Sequence, residues 1–263
     1  MKYKIGFIGA GKMAEALISA VLESKLAKSI IASDVSSERL DYIKKKFKIQ
    51  VSKDNNQVVN NSDIVFIAVK PQIIDDVLGG IKDTDKLVIS IAAGVTIAQL
   101  ESKLDKARVI RVMPNTPCLV GEMAAGFCKG SKANEDDIKS VEEILNLAGK
   151  AYYLKEKDLD AVTALSGSGP AFIARLLGWM IEGAKKEGLQ EEIAKELAYQ
   201  TAIGTGKLLM ETGMSPEELV KNVSSPGGTT VAGREVLEKS DVKDLIIKMV
   251  GAAAKRSRDL GKR

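Results

Sequence analysis

The first residues that could do chemistry are the glycines of IGFIGAGKMA, at residues 5–14. Gly9 would permit a tight turn out of a strand, and Gly11 carries no side chain where the backbone must approach a pyrophosphate. A helix that begins near Lys12 would point free N–H groups and the positive end of its dipole at the phosphates. The segment therefore predicts a dinucleotide-binding loop, with a merely structural glycine turn as the alternative.

The end of the second predicted strand carries groups that discriminate between NAD and NADP. Asp34 could accept hydrogen bonds from a ribose 2′-hydroxyl and would repel a 2′-phosphate. Ser33, Ser36, Ser37 and Arg39 could instead surround that phosphate, and either set could simply cap the helix that follows. The residues leave the choice between the two cofactors open.

Further loops have the composition of ligand-binding segments. The runs AVKP at residues 68–71 and AAGV at residues 92–95 follow two predicted strands, whose carboxyl ends bind ligands in open α/β sheets. Two clusters of Ser, Thr, Gly and Pro, at residues 163–170 and 223–230, each lead into a predicted helix. Helix N-termini bind anions, so the two clusters predict a receptor for a carboxylate, and an ordinary capping turn is the alternative for each.

The composition excludes whole classes of chemistry, because none of the 263 residues is histidine. A Ser-His-Asp triad, a histidine zinc centre and a histidine general base are excluded together. Cys118 and Cys128 lack C-x-x-C spacing, so we expect neither a disulfide framework nor a metal site. The net charge of +4 comes from scattered Lys and Arg, which argues against nucleic-acid binding. A strand at the N-terminus leaves no room for a signal peptide, and the apolar runs are too short for a bilayer, so we expect a cytoplasmic protein.

The elements that must position these residues change character near residue 158. Before it, short runs rich in Ile and Val alternate with helical patterns, which is typical of a doubly wound α/β domain with a mostly parallel sheet. The predicted strands are Lys4–Ile8, Ser29–Ser33, Ile64–Val69, Leu87–Ile91 and Val109–Val112, and the helices are Lys12–Glu23, Ser37–Lys46 and Thr96–Leu104. After it, the predicted helices are Pro170–Glu187, Glu191–Thr212, Pro216–Asn222, Thr230–Lys239 and Val242–Leu260. We expect a Rossmann-type domain over residues 1–157 and an all-α domain over residues 158–263. Gly and Ala on the apolar faces of the long helices favour packing against a second subunit.

Several motifs together resemble those of the pyrroline-5-carboxylate reductase family. GFIGAGKMAEAL, AVKPQ, VISIAAGV, RVMPNTP and LSGSGPAF stand in the family's order and at its spacing, and PEELVKNVSSPGGTTVAGREVLE, from Pro216 to Glu238, looks like its signature. The resemblance covers essentially the whole chain. It implies a Rossmann-type N-terminal domain and an all-α C-terminal domain that forms a homodimer, with larger rings of dimers. It also implies a cytoplasmic enzyme of proline biosynthesis, which uses NADPH or NADH to reduce 1-pyrroline-5-carboxylate to proline.

The resemblance also implies a role for individual residues. Thr163 would face the ring nitrogen of the substrate. The substrate carboxylate would be bound by Asn222, Ser225, Gly228, Thr229 and Thr230. Together with the loops described above, the expected cofactor-binding residues are Gly9, Ala10, Gly11, Lys12, Met13, Ser33, Asp34, Asn55, Ala68, Val69, Lys70, Pro71, Ala92, Ala93 and Gly94. The family often has Asn or Gln at the position of Lys12, and Ser or Asn at that of Asp34. A protonated cyclic imine accepts hydride without a strong acid from the protein, which agrees with the absence of histidine.

Two other functions stay open. A β-hydroxy-acid dehydrogenase of related two-domain layout would carry a catalytic lysine on the first long helix of the second domain, but the helix from Pro170 has none before Lys185. A dinucleotide-binding regulator without catalysis is the other alternative. Such a regulator would not need the second anion site predicted at residues 223–230.

Overall fold

The computed structural model describes residues 2–81 and 83–261. Its contacts group the chain into two compact units. The first comprises the residues up to Pro170 together with those from Ala252 onward, and the second comprises Ala171–Gly251. The expected domain boundary between residues 157 and 158 stays a prediction.

A sheet of eight strands forms the centre of the first unit. The strands are β1 (Tyr3–Ile8), β2 (Ala27–Ser33), β3 (Gln50–Ser52), β4 (Ile64–Ile67), β5 (Leu87–Ser90), β6 (Arg108–Met113), β7 (Met123–Lys129) and β8 (Gly149–Tyr153). Their order is β3-β2-β1-β4-β5-β6-β7-β8, and only the β6–β7 pair is antiparallel among the described strands. The predicted mostly parallel, doubly wound sheet is confirmed. The strand order reverses between β1 and β4, which is the position where such sheets bind ligands.

Helices cover both faces of this sheet, as parallel strands require. They are α1 (Lys12–Glu23), α2 (Ser37–Phe47), α3 (Asn55–Asn60), α4 (Ile74–Gly80), α5 (Ile97–Lys103), α6 (Glu135–Leu145) and α7 (Leu159–Val162). Neighbouring residues of β4 belong to different buried clusters: Phe66 belongs to the cluster that includes Leu17 of α1, whereas Val65 belongs to the cluster that includes Leu78 of α4. Phe66 also stacks on Phe7 of β1 at a centroid distance of 4.9 Å. The two faces hold β1 and β4 rigidly, and with them the loops that leave their carboxyl ends.

The predicted elements of the first unit are present, but the prediction was incomplete. β4 ends at Ile67 rather than Val69, because Lys70 leads into a 3₁₀ turn at Pro71–Ile73. Ser36 caps α2 and Thr96 caps α5, and their side chains accept hydrogen bonds from the amides of Arg39 and Gln99, respectively. The strands β3, β7 and β8 and the helices α3, α4, α6 and α7 were not predicted.

Five helices follow: α8 (Gly169–Lys186), α9 (Glu191–Thr212), α10 (Pro216–Asn222), α11 (Thr229–Glu238) and α12 (Val242–Leu260). All five were predicted, within one residue at either end. Gly213 ends α9 in the left-handed region with φ 68°, and Ser215 forms a capping box at the start of α10. No helix among residues 2–81 and 83–261 is both long and apolar enough to cross a membrane.

The second unit leaves large apolar side chains exposed. Trp179 and Met180 of α8 are each 59% exposed, and Met210 of α9 is 70% exposed. Of its described hydrophobic residues, only Ile181 and Ala194 are buried. An apolar surface of this kind is typical of a face that another protein surface covers.

Candidate active site

The two glycines of the loop after β1 have different physical roles. Gly9 has φ +93°, and a Cβ there would lie 2.5 Å from the carbonyl oxygen of Ala68. Its amide donates to the carbonyl of Ser33 at 2.8 Å, which ties the loop to the end of β2. Gly11 caps α1 with φ −65°, and no described atom lies within 4 Å of the place its Cβ would take. Gly9 is therefore required by the fold, whereas Gly11 leaves space for something that the chain itself does not fill.

A cleft of about 370 Å³ lies against this loop. Its lining comes from Gly11–Met13 after β1, Ala68–Lys70 after β4, Ile91 after β5, and Met113–Thr116 at the end of β6, with Gly167. The cleft therefore lies at the carboxyl edge of the sheet, where the strand order reverses. The structure brings together at this cleft six of the residues expected to bind the cofactor: Gly11, Lys12, Met13, Ala68, Val69 and Lys70.

Other expected cofactor residues line a different cavity. Pro71, Ala93 and Gly94 border a space of about 310 Å³ together with Leu260 of α12. Gly94 has φ +77°, and a Cβ there would lie 3.1 Å from the Cβ of Leu260. The packing of α12 is thus a reason for glycine at this position that the sequence did not reveal. Ala92 is buried. Binding of the cofactor by these four residues stays a prediction.

A third group of expected cofactor residues supports the glycine loop. Asp34 accepts hydrogen bonds at 2.9 Å from the amides of Ala10 and Ser36, one with each carboxylate oxygen. Ser33 is buried, and its hydroxyl donates to the side-chain oxygen of Asn55 at 2.7 Å. These contacts fix the end of β2 against the loop. A direct contact of Ser33, Asp34 or Asn55 with a cofactor stays a prediction.

A buried carboxylate lies one turn into α1. Glu15 is 5% exposed and accepts hydrogen bonds from Arg39, Tyr42 and Lys46 of α2. Burial raises the pKa of Glu15, but the hydrogen bonds from Lys46, Arg39 and Tyr42 outweigh it and lower the pKa to about 2. The carboxylate is therefore ionised at neutral pH. The sequence analysis did not single out Glu15.

Thr163 begins a single π-helical turn, Thr163–Gly167, between α7 and α8. Its hydroxyl donates to the carbonyl of Leu159 at 2.7 Å, so the hydroxyl oxygen is left as an acceptor. Gly167 lines the cleft, and a Cβ there would lie 2.6 Å from the Cε of Met113 and 3.8 Å from the Cγ2 of Thr163. The turn therefore brings Thr163 next to the wall of the cleft. Such turns are frequent at functional sites.

Asn115 lines the cleft and was not named in advance as a site residue. It is 7% exposed; its side-chain amide donates to the carbonyl of Ser166 at 3.1 Å, and its side-chain oxygen accepts from the amide of Ala124 at 2.9 Å. The bridge links the end of β6 to the π-helical turn. Its signal in the sequence is the polar run PNTP directly after a buried strand.

The expected carboxylate site belongs to the second unit. Gly227 has φ +72°, and Gly228, which has no side chain, occupies the cap position of α11. The amide of Gly228 donates to the carbonyl of Ser225 at 2.9 Å, which closes the turn. Asn222 ends α10, and Thr229 and Thr230 begin α11, so the five expected residues lie in one turn and its flanking helix ends. That they bind a carboxylate stays a prediction.

Comparison with known proteins places this geometry in a family. Residues 4–94 match the family model "NADP oxidoreductase coenzyme F420-dependent", and residues 156–260 match the model "Pyrroline-5-carboxylate reductase dimerisation". The pyrroline-5-carboxylate reductase of Methanosarcina acetivorans is 44% identical over 266 residues, covering 99% of this chain and 98% of that protein. The chain belongs to the pyrroline-5-carboxylate reductase family.

Solved structures of the pyrroline-5-carboxylate reductase family have the same fold along the whole chain. The protein from Coxiella burnetii superposes with a TM-score of 0.94 at 35% identity and covers 100% of both chains. The Plasmodium falciparum pyrroline carboxylate reductase, solved with NADP bound, superposes with a TM-score of 0.88 at 34% identity and covers 98% of both chains. The family assignment agrees with the fold and function implied by the motifs.

Proposed function

We propose that this protein reduces 1-pyrroline-5-carboxylate to L-proline, the last step of proline biosynthesis, with NADPH or NADH as the hydride donor. The observation that carries the proposal is the cleft at the reversal of the strand order, lined on one side by the glycine loop and on the other by Gly167 of the π-helical turn. The chain is 44% identical over nearly its full length to a relative named for this reaction.

The residues of the cleft fit a dinucleotide. Gly11 presents open space at the N-terminus of α1, where backbone N–H groups and the helix dipole favour a pyrophosphate. Lys12 and Lys70 add positive charge on two sides of the cleft. When bound there, the reduced nicotinamide supplies the hydride. The chain's own contribution is to hold the donor and the imine carbon in reacting geometry.

Thr163 would stabilise the protonated form of the substrate. Its hydroxyl donates to Leu159, so its oxygen can accept a hydrogen bond from the N–H of the iminium ring. This contact favours the charged iminium, which is the form that accepts hydride. Thr163 is in this role a positioning acceptor rather than a proton donor, which agrees with the low acidity of a free hydroxyl.

The loop around Gly228 would bind the substrate carboxylate. The first amides of α11 have no intrahelical acceptor, and a glycine cap leaves them open to an anion. Ser225, Thr229, Thr230 and Asn222 would add side-chain donors.

The exposed apolar face of the second unit would pack against the same face of another copy in a homodimer, which agrees with the match to a dimerisation model. Dimers would assemble further into a ring. We expect a cytoplasmic protein that binds neither nucleic acid nor membranes.

The decisive experiment mixes the protein, NADPH or NADH, and 1-pyrroline-5-carboxylate, and follows the loss of absorbance of the reduced cofactor. We expect turnover with formation of proline, identified by mass spectrometry. Turnover only with a β-keto acid semialdehyde would support a hydroxy-acid dehydrogenase. No turnover with either, although the dinucleotide binds, would support a regulator without catalysis.

Variants of Thr163 test its role. Thr163→Val should lower kcat about 10- to 100-fold, because a hydrogen bond to a charged group contributes about 1.5–3 kcal/mol. Affinity for the cofactor should change by less than about twofold. Thr163→Ser keeps both hydrogen bonds and is the matched control. An unchanged kcat in the valine variant would remove Thr163 from the mechanism.

A further inference from the structure

We propose that Glu15 and Arg39 form a positioning pair, which fixes the glycine loop for the binding of NADH and NADPH alike. This inference rests on the proposed dinucleotide site. Neither residue lines the cleft. They act through the backbone of Ala10, which precedes the cleft-lining residues Gly11–Met13.

The backbone of Ala10 is held on both sides. Its amide donates to Asp34 at 2.9 Å, and its carbonyl accepts from the Nε of Arg39 at 2.5 Å. The preceding residue, Gly9, donates its amide to the carbonyl of Ser33 at 2.8 Å. Three backbone groups of Gly9 and Ala10 are therefore fixed by the end of β2, by Asp34 directly after it and by α2, before the chain enters α1.

Glu15 holds Arg39 in the orientation that this contact needs. The Oε2 of Glu15 accepts from the Nη2 of Arg39 at 2.5 Å, while its Oε1 accepts from Tyr42 and Lys46, each at 2.8 Å. The guanidinium of Arg39 also lies 4.9 Å from the ring centroid of Tyr42. A long side chain loses rotamer entropy when it is fixed. Because these partners already restrict the side chain of Arg39, its contact with the carbonyl of Ala10 costs less conformational entropy.

The charges around Glu15 also suit an anion. A lone carboxylate in the first turn of α1 would repel a pyrophosphate at the same helix end. Here Arg39 and Lys46 form ion pairs with Glu15, and the Nζ of Lys12 lies 3.6 Å from its Oε2. Arg39, Lys46 and Lys12 therefore offset the negative charge of Glu15 at this helix end, so the contribution of Glu15 to binding lies in the orientation of Arg39 and not in its own charge.

The geometry assigns Arg39 to the loop rather than to a 2′-phosphate. Two of the five N–H groups of its guanidinium, one on Nε and one on Nη2, are donated to Ala10 and Glu15, and they hold the planar group against the loop. The pyrophosphate is common to both cofactors, whereas the 2′-phosphate is present only in NADPH. Loss of the positioning pair should therefore weaken both cofactors by the same factor.

The test compares Glu15→Gln and Arg39→Lys with the unaltered protein. The dissociation constants for NADH and NADPH are measured by titration of nicotinamide fluorescence, and kcat and KM are measured at saturating cofactor. We expect each variant to raise both dissociation constants by about tenfold or more, while kcat changes by less than about twofold. The matched control is Glu143→Gln, which removes the ion pair with Lys2 at the opposite end of β1 and should leave both constants unchanged.

Three outcomes would overturn the proposal. The first is a loss of affinity confined to NADPH, which would mean that Arg39 contacts the 2′-phosphate. The second is an unchanged dissociation constant for each cofactor in both variants. The third is a fall in kcat with unchanged affinity. If Arg39→Lys does not fold, Tyr42→Phe, which removes one hydrogen bond to Glu15, should weaken both cofactors by equal but smaller factors, and unchanged affinities would again refute the pair. Failure of the unaltered protein to bind either dinucleotide would instead refute the proposed function.

Discussion

Alanine at Gly9 should mainly destabilise the fold, whereas alanine at Gly11, two positions later, should mainly weaken cofactor binding. At Gly9 the added methyl group would lie 2.5 Å from the carbonyl oxygen of Ala68, and alanine would have to adopt φ +93°. The left-handed conformation costs about 1 kcal/mol, and overpacking against backbone costs about 1–3 kcal/mol. The sum is about 3 kcal/mol, which corresponds to a fall in Tm of about 6–12 °C for a chain of this size.

At Gly11 the same substitution meets no described atom within 4 Å, and the backbone has φ −65°. Replacing a glycine cap by alanine costs about 0.5–1 kcal/mol, so Tm should fall by about 1–4 °C. The methyl group would instead enter the cleft where the pyrophosphate must approach. A steric cost of about 1–3 kcal/mol there raises the dissociation constant for NADPH or NADH by about 10- to 100-fold.

The assay is thermal unfolding by circular dichroism at fixed protein concentration, followed by fluorescence titration with each reduced cofactor. Fixed concentration matters because the stability of an oligomer depends on it. Gly11→Ala with unchanged cofactor affinity would refute the location of the pyrophosphate. Gly9→Ala with the Tm of the unaltered protein would refute the steric reasoning.

Three further measurements test other contacts of the first unit. Because the pKa of Glu15 is lowered to about 2, its contribution to the free energy of unfolding is present above about pH 4.5 and is lost as the pH falls toward 2. After solvent screening, we expect the unaltered protein to be more stable than Glu15→Gln by about 1–2 kcal/mol at neutral pH. Urea titrations at lower pH should show this difference become smaller. Burial raises the pKa of Cys118 to about 11 and that of Cys128 to about 12, so iodoacetamide at pH 8 should alkylate both at least about a hundredfold more slowly than in urea; equal rates would contradict this burial. The hydroxyl of Ser257 donates to Asp160 at 2.6 Å, so Ser257→Ala should lower the free energy of unfolding by about 1–2 kcal/mol, and an unchanged urea midpoint would count against the contact.

The elements that the sequence predicted best are those with strong periodicity and clear ends. The helix α1 was predicted with its bounds, because Ala14, Leu17, Ile18 and Val21 form one buried stripe after a glycine loop. The helix α6 was missed although its signals are present. Asn134 and Asp137 form a capping box, and buried apolar residues follow at helical spacing.

The missed strands lack the β-branched runs that mark buried parallel strands. β7 reads MAAGFCK, and its small residues reflect crowding that only the folded chain reveals. A Cβ at Gly126 would lie 2.9 Å from the Cγ2 of Val162. At the edge of the sheet, β8 leaves Tyr152 and Tyr153 exposed, so its pattern has no apolar face to detect. Close approach between distant segments leaves no local periodicity.

The site was predictable where it depends on local motifs and not where it depends on packing between segments. The glycine loop, Lys70 and Gly167 near Thr163 lie at one cleft, in agreement with their motifs, whereas their binding of cofactor or substrate stays a prediction. The contact of Arg39 with Ala10 joins residues 29 positions apart, and the bridge from Asn115 to Ser166 spans 51. The π-helical turn was also hidden, because it begins where the hydroxyl of Thr163 bonds back to the carbonyl of Leu159.

The first unit is discontinuous in sequence, because its final contacts come from the segment that begins at Ala252. Ser257 bonds to Asp160, and Leu260 lies against Gly94. During translation, a chain that has emerged only as far as Gly251 has all eight strands but lacks this last segment. The unit that holds the glycine loop, although it begins first, is therefore completed only after the whole second unit has been translated, and a substitution in the segment from Ala252 acts on that first unit.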